Sequence, residues 1–111
     1  MTKILFVCSA NVDRSPTAER IYENYPALEV KSAGVGVYAT TPVSAELLQW
    51  ADIVLCMEKW HKTKIEIDFT IENKVIDYLD VEDNYEYMEP ELIEIIKGKV
   101  DEWLIQKINQ I

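Results

Sequence analysis

Residues 7–19 read VCSANVDRSPTAE, placing Cys8 and Arg14 either side of five residues, with Ser15 directly behind. A thiolate is a strong nucleophile, and a guanidinium fork matches the oxygens of a phosphoryl group in pairs. The intervening Ser9, Ala10, Asn11, Val12 and Asp13 are enough chain to curl around a tetrahedral dianion with backbone N–H groups turned inward. The positive field of such a cradle favours the thiolate, so Cys8 would attack the phosphorus that the loop binds. The loop expected to hold phosphate therefore comprises Ser9, Ala10, Asn11, Val12, Asp13, Arg14 and Ser15. A lone C-x5-R is weak evidence, because a free cysteine is commonly a small buried hydrophobe. Its placement in the chain decides.

Ile4-Leu5-Phe6-Val7 before Cys8 is a β-rich apolar run, and Lys3–Val7 reads as a parallel strand buried on both faces. Ser15-Pro16 supplies a cap-like hydroxyl and a first-turn proline. Ala18, Ile21, Tyr22 and Tyr25 follow at helical spacing up to Pro26. Val30–Ala33, Ile53–Met57 and Val75–Leu79 read as three more strands, with a helix from Pro42 to Trp50. Beyond Pro90, Leu92, Ile93, Ile96, Val100, Trp103, Leu104 and Ile108 repeat at threes and fours, which predicts a long helix. The alternation predicts a single α/β domain over residues 1–111, three-layered, with a four-stranded, mainly parallel sheet and helices on both faces. Ligands in such sheets bind beyond the carboxyl ends of the strands, where Cys8 lies.

The formal charge of −9 on 111 residues argues against nucleic acid or an anionic membrane as partner. An anionic ligand needs a locally positive pocket on this body. The apolar runs are too short to span a bilayer, and Met-Thr-Lys leads into a strand with no signal-peptide pattern, so a soluble cytoplasmic protein is expected. Cys8 and Cys56 both end strand-like runs and are expected as free thiols. No cluster has metal-ligand spacing and no glycine-rich nucleotide motif occurs, and the chemistry envisaged needs no cofactor.

The stretch resembles the active-site loop of low-molecular-weight protein tyrosine phosphatases, which commonly reads V-C-x-G-N-x-C-R-S-P-x-A-E. The shared residues are Val7, Cys8, Asn11, Arg14, Ser15, Pro16, Ala18 and Glu19. Ser32-Ala33-Gly34 looks like the family's S-A-G, and Ala51–Met57 is similar to its third strand; the likeness is closest to short members. The resemblance implies a phosphocysteine intermediate on Cys8. It gives Arg14 and the loop amides the phosphoryl oxygens, and makes Asn11 and Ser15 braces, with Ser15 also donating to the thiolate. The implied substrate is a phosphorylated protein or small aryl phosphate.

A phenolate leaving group needs a proton, so a carboxyl group must overhang the cradle. The family places an aspartate in a D-P-Y motif after its fourth strand. Asp83-Asn84-Tyr85 is the match, and Asp80, nearest the strand end, is the alternative. Tyr85 and Tyr87 are candidates for the pocket wall. Read without the motif, the acidic run is a solvated loop ahead of a helix.

Three departures stand out. Ala10 replaces a glycine, at a cost of roughly 1 kcal/mol if that position takes positive φ. Asp13 replaces a cysteine, and at ~8 Å its repulsion of a bound monoanion is roughly 1–2 kcal/mol. Residues are missing between Gly34 and Ala51, so a shallow site is expected. His61 reads as helix surface; Trp50, Trp60 and Trp103 read as core or half-buried. Two further readings compete. One is a weakly active or inactive phosphate-binding regulatory module. The other is an arsenate reductase, for which Cys56 alone is left to relay oxidation. In phosphoarginine-type relatives a threonine commonly stands three before the serine; Val12 stands there and favours an aryl phosphate.

Overall fold

The computed structural model describes residues 1–108. The alternating pattern gives β1 (Thr2–Cys8), α1 (Arg14–Tyr22), β2 (Leu28–Gly34), α2 (Ala45–Trp50), β3 (Ile53–Cys56), α3 (Lys59–Asp68), β4 (Val75–Tyr78) and α4 (Pro90–Ile108). The four strands form one all-parallel sheet in the order β2-β1-β3-β4. No helix among the described residues is long and apolar enough to cross a membrane.

A parallel strand covered on both faces needs apolar side chains in unbroken succession. β1 supplies them: Ile4, Phe6 and Cys8 point to one face and Leu5 and Val7 to the other. The first set packs with Ala18 and Tyr22 of α1 and Leu92, Ile96, Val100 and Trp103 of α4. The second packs with Leu48 of α2 and Ile65 of α3, beside Val54 and Cys56. Two hydrogen bonds fix α4: Tyr22 Oη donates to Asp101 Oδ1 at 2.9 Å, and Trp103 Nε1 to Asp77 Oδ2 at 2.8 Å.

The chain leaves β1 for β2 on one side and later returns to β3 on the other. The carboxyl ends of β1 and β3 thus flank the point where the winding reverses, the usual place for a site in an open parallel sheet. Cys8 ends β1 there, and Glu58 follows β3 across the gap.

Two local expectations change. Asp13, not Ser15, stands at the N-cap of α1, and Ser15 lies inside the first turn with its hydroxyl turned toward the loop. Of the three tryptophans, Trp103 is core and Trp50 half-buried, but Trp60 is 49% exposed.

Candidate active site

The loop after β1 closes on the Cys8 thiol. Asn11 N–H donates to Cys8 Sγ at 3.2 Å, and Ser15 Oγ lies 3.0 Å from the same sulfur. Asn11 makes this turn by taking φ 56°, a left-handed conformation that asparagine tolerates better than most residues. Ala10 does not have positive φ, so the cost foreseen for alanine does not arise. The Asn11 amide donates to Ser15 Oγ (2.9 Å) and Ser32 Oγ (3.0 Å), and Ser32 Oγ donates to Glu19 Oε1 at 2.6 Å. The loop is therefore braced from β2 and α1 at once. The N–H groups of Val12, Asp13, Arg14 and Ser15 find no acceptor among the described residues. They are the loop and helix N-terminal donors that an anion would engage.

Gly34 explains the S-A-G. A Cβ there would stand 2.7 Å from the Ser9 carbonyl oxygen and 2.9 Å from Asn11 N. Only glycine lets the end of β2 lie this close to the loop. Gly36 N–H and Thr40 N–H then donate to the Ser9 and Ala10 carbonyls, tying the following segment to the loop's outer side.

Arg14 is 2% exposed and locked by its surroundings. Nη1 donates to Glu58 Oε2 at 2.6 Å and to the Val81 carbonyl at 2.8 Å, which uses both its hydrogens; Nη2 donates to Ser9 Oγ at 3.1 Å. The Nε hydrogen and one Nη2 hydrogen remain for a ligand. Burial alone would raise the Glu58 carboxyl, but the hydrogen bond and charge of Arg14 hold it below the usual range.

His61 is fully buried, contrary to the surface position expected of it. It is the third residue of α3, and its Nδ1 reaches back to accept the Glu58 N–H at 2.9 Å. Nε2 therefore carries the hydrogen and donates it to Ser9 Oγ at 2.9 Å. Burial, then the Arg14 charge, pushes its pKa down to about 4, so the ring is neutral at pH 7. Ser9 Oγ accepts from both His61 and Arg14, leaving its own hydrogen to give to a third group. Glu58 and His61 are the site residues that sequence reasoning missed. The available signal was an acidic residue directly after the third strand, at the sheet's ligand-binding end, with histidine at the spacing of a reciprocal helix cap.

Asp83 Oδ1 lies 3.6 Å from Arg14 Nε, with its side chain 64% exposed. Asp80 is left-handed (φ 62°), its carbonyl accepts from Lys99 Nζ, and it lines a cleft of about 620 Å³ with Glu58 and Trp60. Tyr85 packs against the core cluster on the α1–α4 side of the sheet. Tyr87 lines a second cleft of about 530 Å³ with Asn11, Val12, Lys31 and Leu47. Asp13 points outward from the loop and accepts the Tyr87 N–H at 2.9 Å. Cys56 is buried, and burial pushes its thiol up to about 12, which keeps it protonated and unreactive.

This geometry has counterparts. A sequence model described as low molecular weight phosphotyrosine protein phosphatase matches residues 3–41. The protein-tyrosine-phosphatase PtpB of Staphylococcus aureus is 35% identical over 95 residues, covering 66% of this chain and 68% of that protein. The protein-tyrosine-phosphatase Wzb of Salmonella typhi is 36% identical over 83 residues, and the match spans 53% of this chain and only 56% of Wzb. A protein-arginine-phosphatase from Geobacillus stearothermophilus is 33% identical over 87 residues, covering 57% and 59%. Among solved structures, the low molecular weight protein tyrosine phosphatase of T. tengcongensis superposes with a TM-score of 0.77 at 26% identity, covering 96% of this chain and 99% of that one.

Proposed function

Because this chain belongs to the low-molecular-weight protein-tyrosine-phosphatase family, we propose that it hydrolyses phosphomonoesters through a phosphocysteine intermediate on Cys8. The observation that carries the reading is the sulfur itself, held between the Asn11 N–H at 3.2 Å and Ser15 Oγ at 3.0 Å in front of unpaired loop amides.

The Ser15 hydroxyl has one hydrogen and two acceptors in reach, the Ala33 carbonyl at 3.2 Å and Cys8 Sγ. With a thiol, the S–H donates to Ser15 and Ser15 donates to Ala33. With a thiolate, the hydroxyl turns to the sulfur, so both neighbours donate to the anion. Phosphoryl oxygens take the amides of Val12, Asp13, Arg14 and Ser15, the free edge of Arg14 and the spare Ser9 hydrogen. The sulfur attacks phosphorus as the ester P–O bond breaks, and the carboxyl group of Asp83 gives its proton to the departing oxygen. Water then attacks the phosphocysteine. It gives a proton to the Asp83 carboxylate, the P–S bond breaks and phosphate leaves.

Val12 is 54% exposed beside the cleft that Tyr87 lines, and it presents methyl groups with no hydroxyl. That supports an aryl phosphate on a protein or small molecule over phosphoarginine. The protonated, buried Cys56 speaks against a cysteine relay of the arsenate reductase kind. Hydrolysis of p-nitrophenyl phosphate tests the reading. Turnover that Cys8→Ser abolishes supports it, and equal turnover by both proteins refutes it.

A further inference from the structure

Consecutive residues of the phosphate loop hold the two ends of the segment that carries Asp83. On its N-terminal side, the Val81 carbonyl accepts from Arg14 Nη1 at 2.8 Å. On its C-terminal side, the Tyr87 N–H donates to Asp13 Oδ1 at 2.9 Å. The next amide, Met88 N–H, donates to Thr17 Oγ1 at 2.9 Å, and that hydroxyl donates to the Asp13 carbonyl at 2.6 Å. Both C-terminal tethers therefore converge on Asp13. The segment is bounded by left-handed backbone at Asp80 (φ 62°) and Met88 (φ 61°). Non-glycine residues keep such conformations where the surroundings over-determine them. Between the tethers, Asp83 is largely solvent-exposed yet 3.6 Å from Arg14 Nε. Its position is thus set from the ends of its segment.

We propose that Asp13 is a positioning residue: by accepting the Tyr87 N–H it holds the 81–87 segment over the phosphate loop, so that Asp83 reaches the leaving-group oxygen. The cysteine found here in the pattern the loop resembles is a weak acceptor and would hold this amide poorly. The charge that opposes a bound anion is the same group that anchors the acid. The inference rests on the phosphatase reading and on Asp83 as its proton donor.

The test compares phenyl phosphate with p-nitrophenyl phosphate for the wild type, Asp13→Ala and Asp13→Asn, alongside amide hydrogen exchange at Tyr87. A misplaced acid harms the ester whose leaving group most needs a proton. Asp13→Ala is expected to slow phenyl phosphate at least about tenfold more than p-nitrophenyl phosphate, a fraction of what a general acid commonly supplies. Asp13→Asn, whose amide oxygen still accepts, keeps the wild-type ratio. Tyr87 exchange is expected to quicken in Asp13→Ala while β1 amides stay protected. An unchanged ester ratio in Asp13→Ala, or an unchanged Tyr87 amide, overturns the proposal. A wild type that cleaves neither ester overturns the phosphatase reading instead, and the positioning role falls with it even if the Tyr87 amide responds.

Discussion

Glu58 Oε2 lies 2.6 Å from Nη1 of Arg14, joining the N-cap residue of α3 to the arginine at the end of the loop that follows β1. Glu58 is one-third exposed while Arg14 is shut inside, so the pair has a wet end and a dry one. Removing the carboxylate leaves an enclosed cation with the Val81 carbonyl, the Ser9 hydroxyl and the longer, solvent-exposed Asp83 contact. Glu58→Gln is expected to cost about 1–3 kcal/mol, the solvent-facing side moderating the loss typical of a buried pair. Urea unfolding at pH 7 measures it, and a cost near zero would mean that Glu58 does not hold the guanidinium.

His61 makes stability depend on pH. Its folded pKa is about 4 against an ordinary 6.5, so between those values the unfolded chain binds a proton that the folded chain does not. Its contribution is complete above 6.5 and is lost as pH falls toward 4, by about 2 kcal/mol from pH 7 to 5. Glu58, with its carboxyl lowered, adds a loss in the same direction at lower pH. Urea midpoints at pH 7 and 5 for the wild type and His61→Ala test this. The variant should be weaker at pH 7 and nearly flat between the two, and an unchanged slope would place the titration elsewhere.

Asp83 and Asp80 are both near the site, but only Asp83 is near Arg14 Nε; the Asp80 carbonyl is taken by Lys99. Asp83→Asn should lower turnover of phenyl phosphate by about 10²-fold or more, and Asp80→Asn by less than about threefold. The reverse ranking would make Asp80 the acid and its cleft beside Trp60 the leaving-group side.

Gly34→Ala should damage the loop from behind. The new methyl meets backbone atoms of Ser9 and Asn11, which cannot swing aside as a side chain would. A destabilisation of about 1–3 kcal/mol is expected, together with weaker inhibition by phosphate or vanadate. Thermal unfolding and inhibition constants check the two effects, and a variant matching the wild type in both would show that the loop is free to move off β2.

The two central strands were legible because β1 and β3 are written as buried apolar runs, while the edge strands β2 and β4 mix in polar residues; the loop from Cys8 to Arg14 was legible because it is local. What failed to show were relations made across the fold. His61 and Trp60 are neighbours on α3, a short helix with weakly patterned faces, and the sequence does not reveal which one turns inward. It is His61, because Ser9 and the Glu58 amide offer a donor and acceptor that satisfy both ring nitrogens. The role of Asp13 depends on Tyr87, 74 residues away along the chain. Whether residue 10 or 11 takes the left-handed turn is likewise a property of the closed loop, decided at Asn11.

The central claim is that Cys8 carries the phosphoryl group. Asp83→Asn, which lacks the group that readies water, should accumulate the intermediate when mixed with p-nitrophenyl phosphate, whose leaving group departs without much help. Rapid acid quenching and peptide mass analysis would locate it. One added phosphoryl group on the peptide bearing Cys8, absent from the Cys8→Ser double variant, is the predicted result. Wild-type turnover with the phosphoryl group on another residue, or with no phosphoenzyme in either protein, would contradict the account.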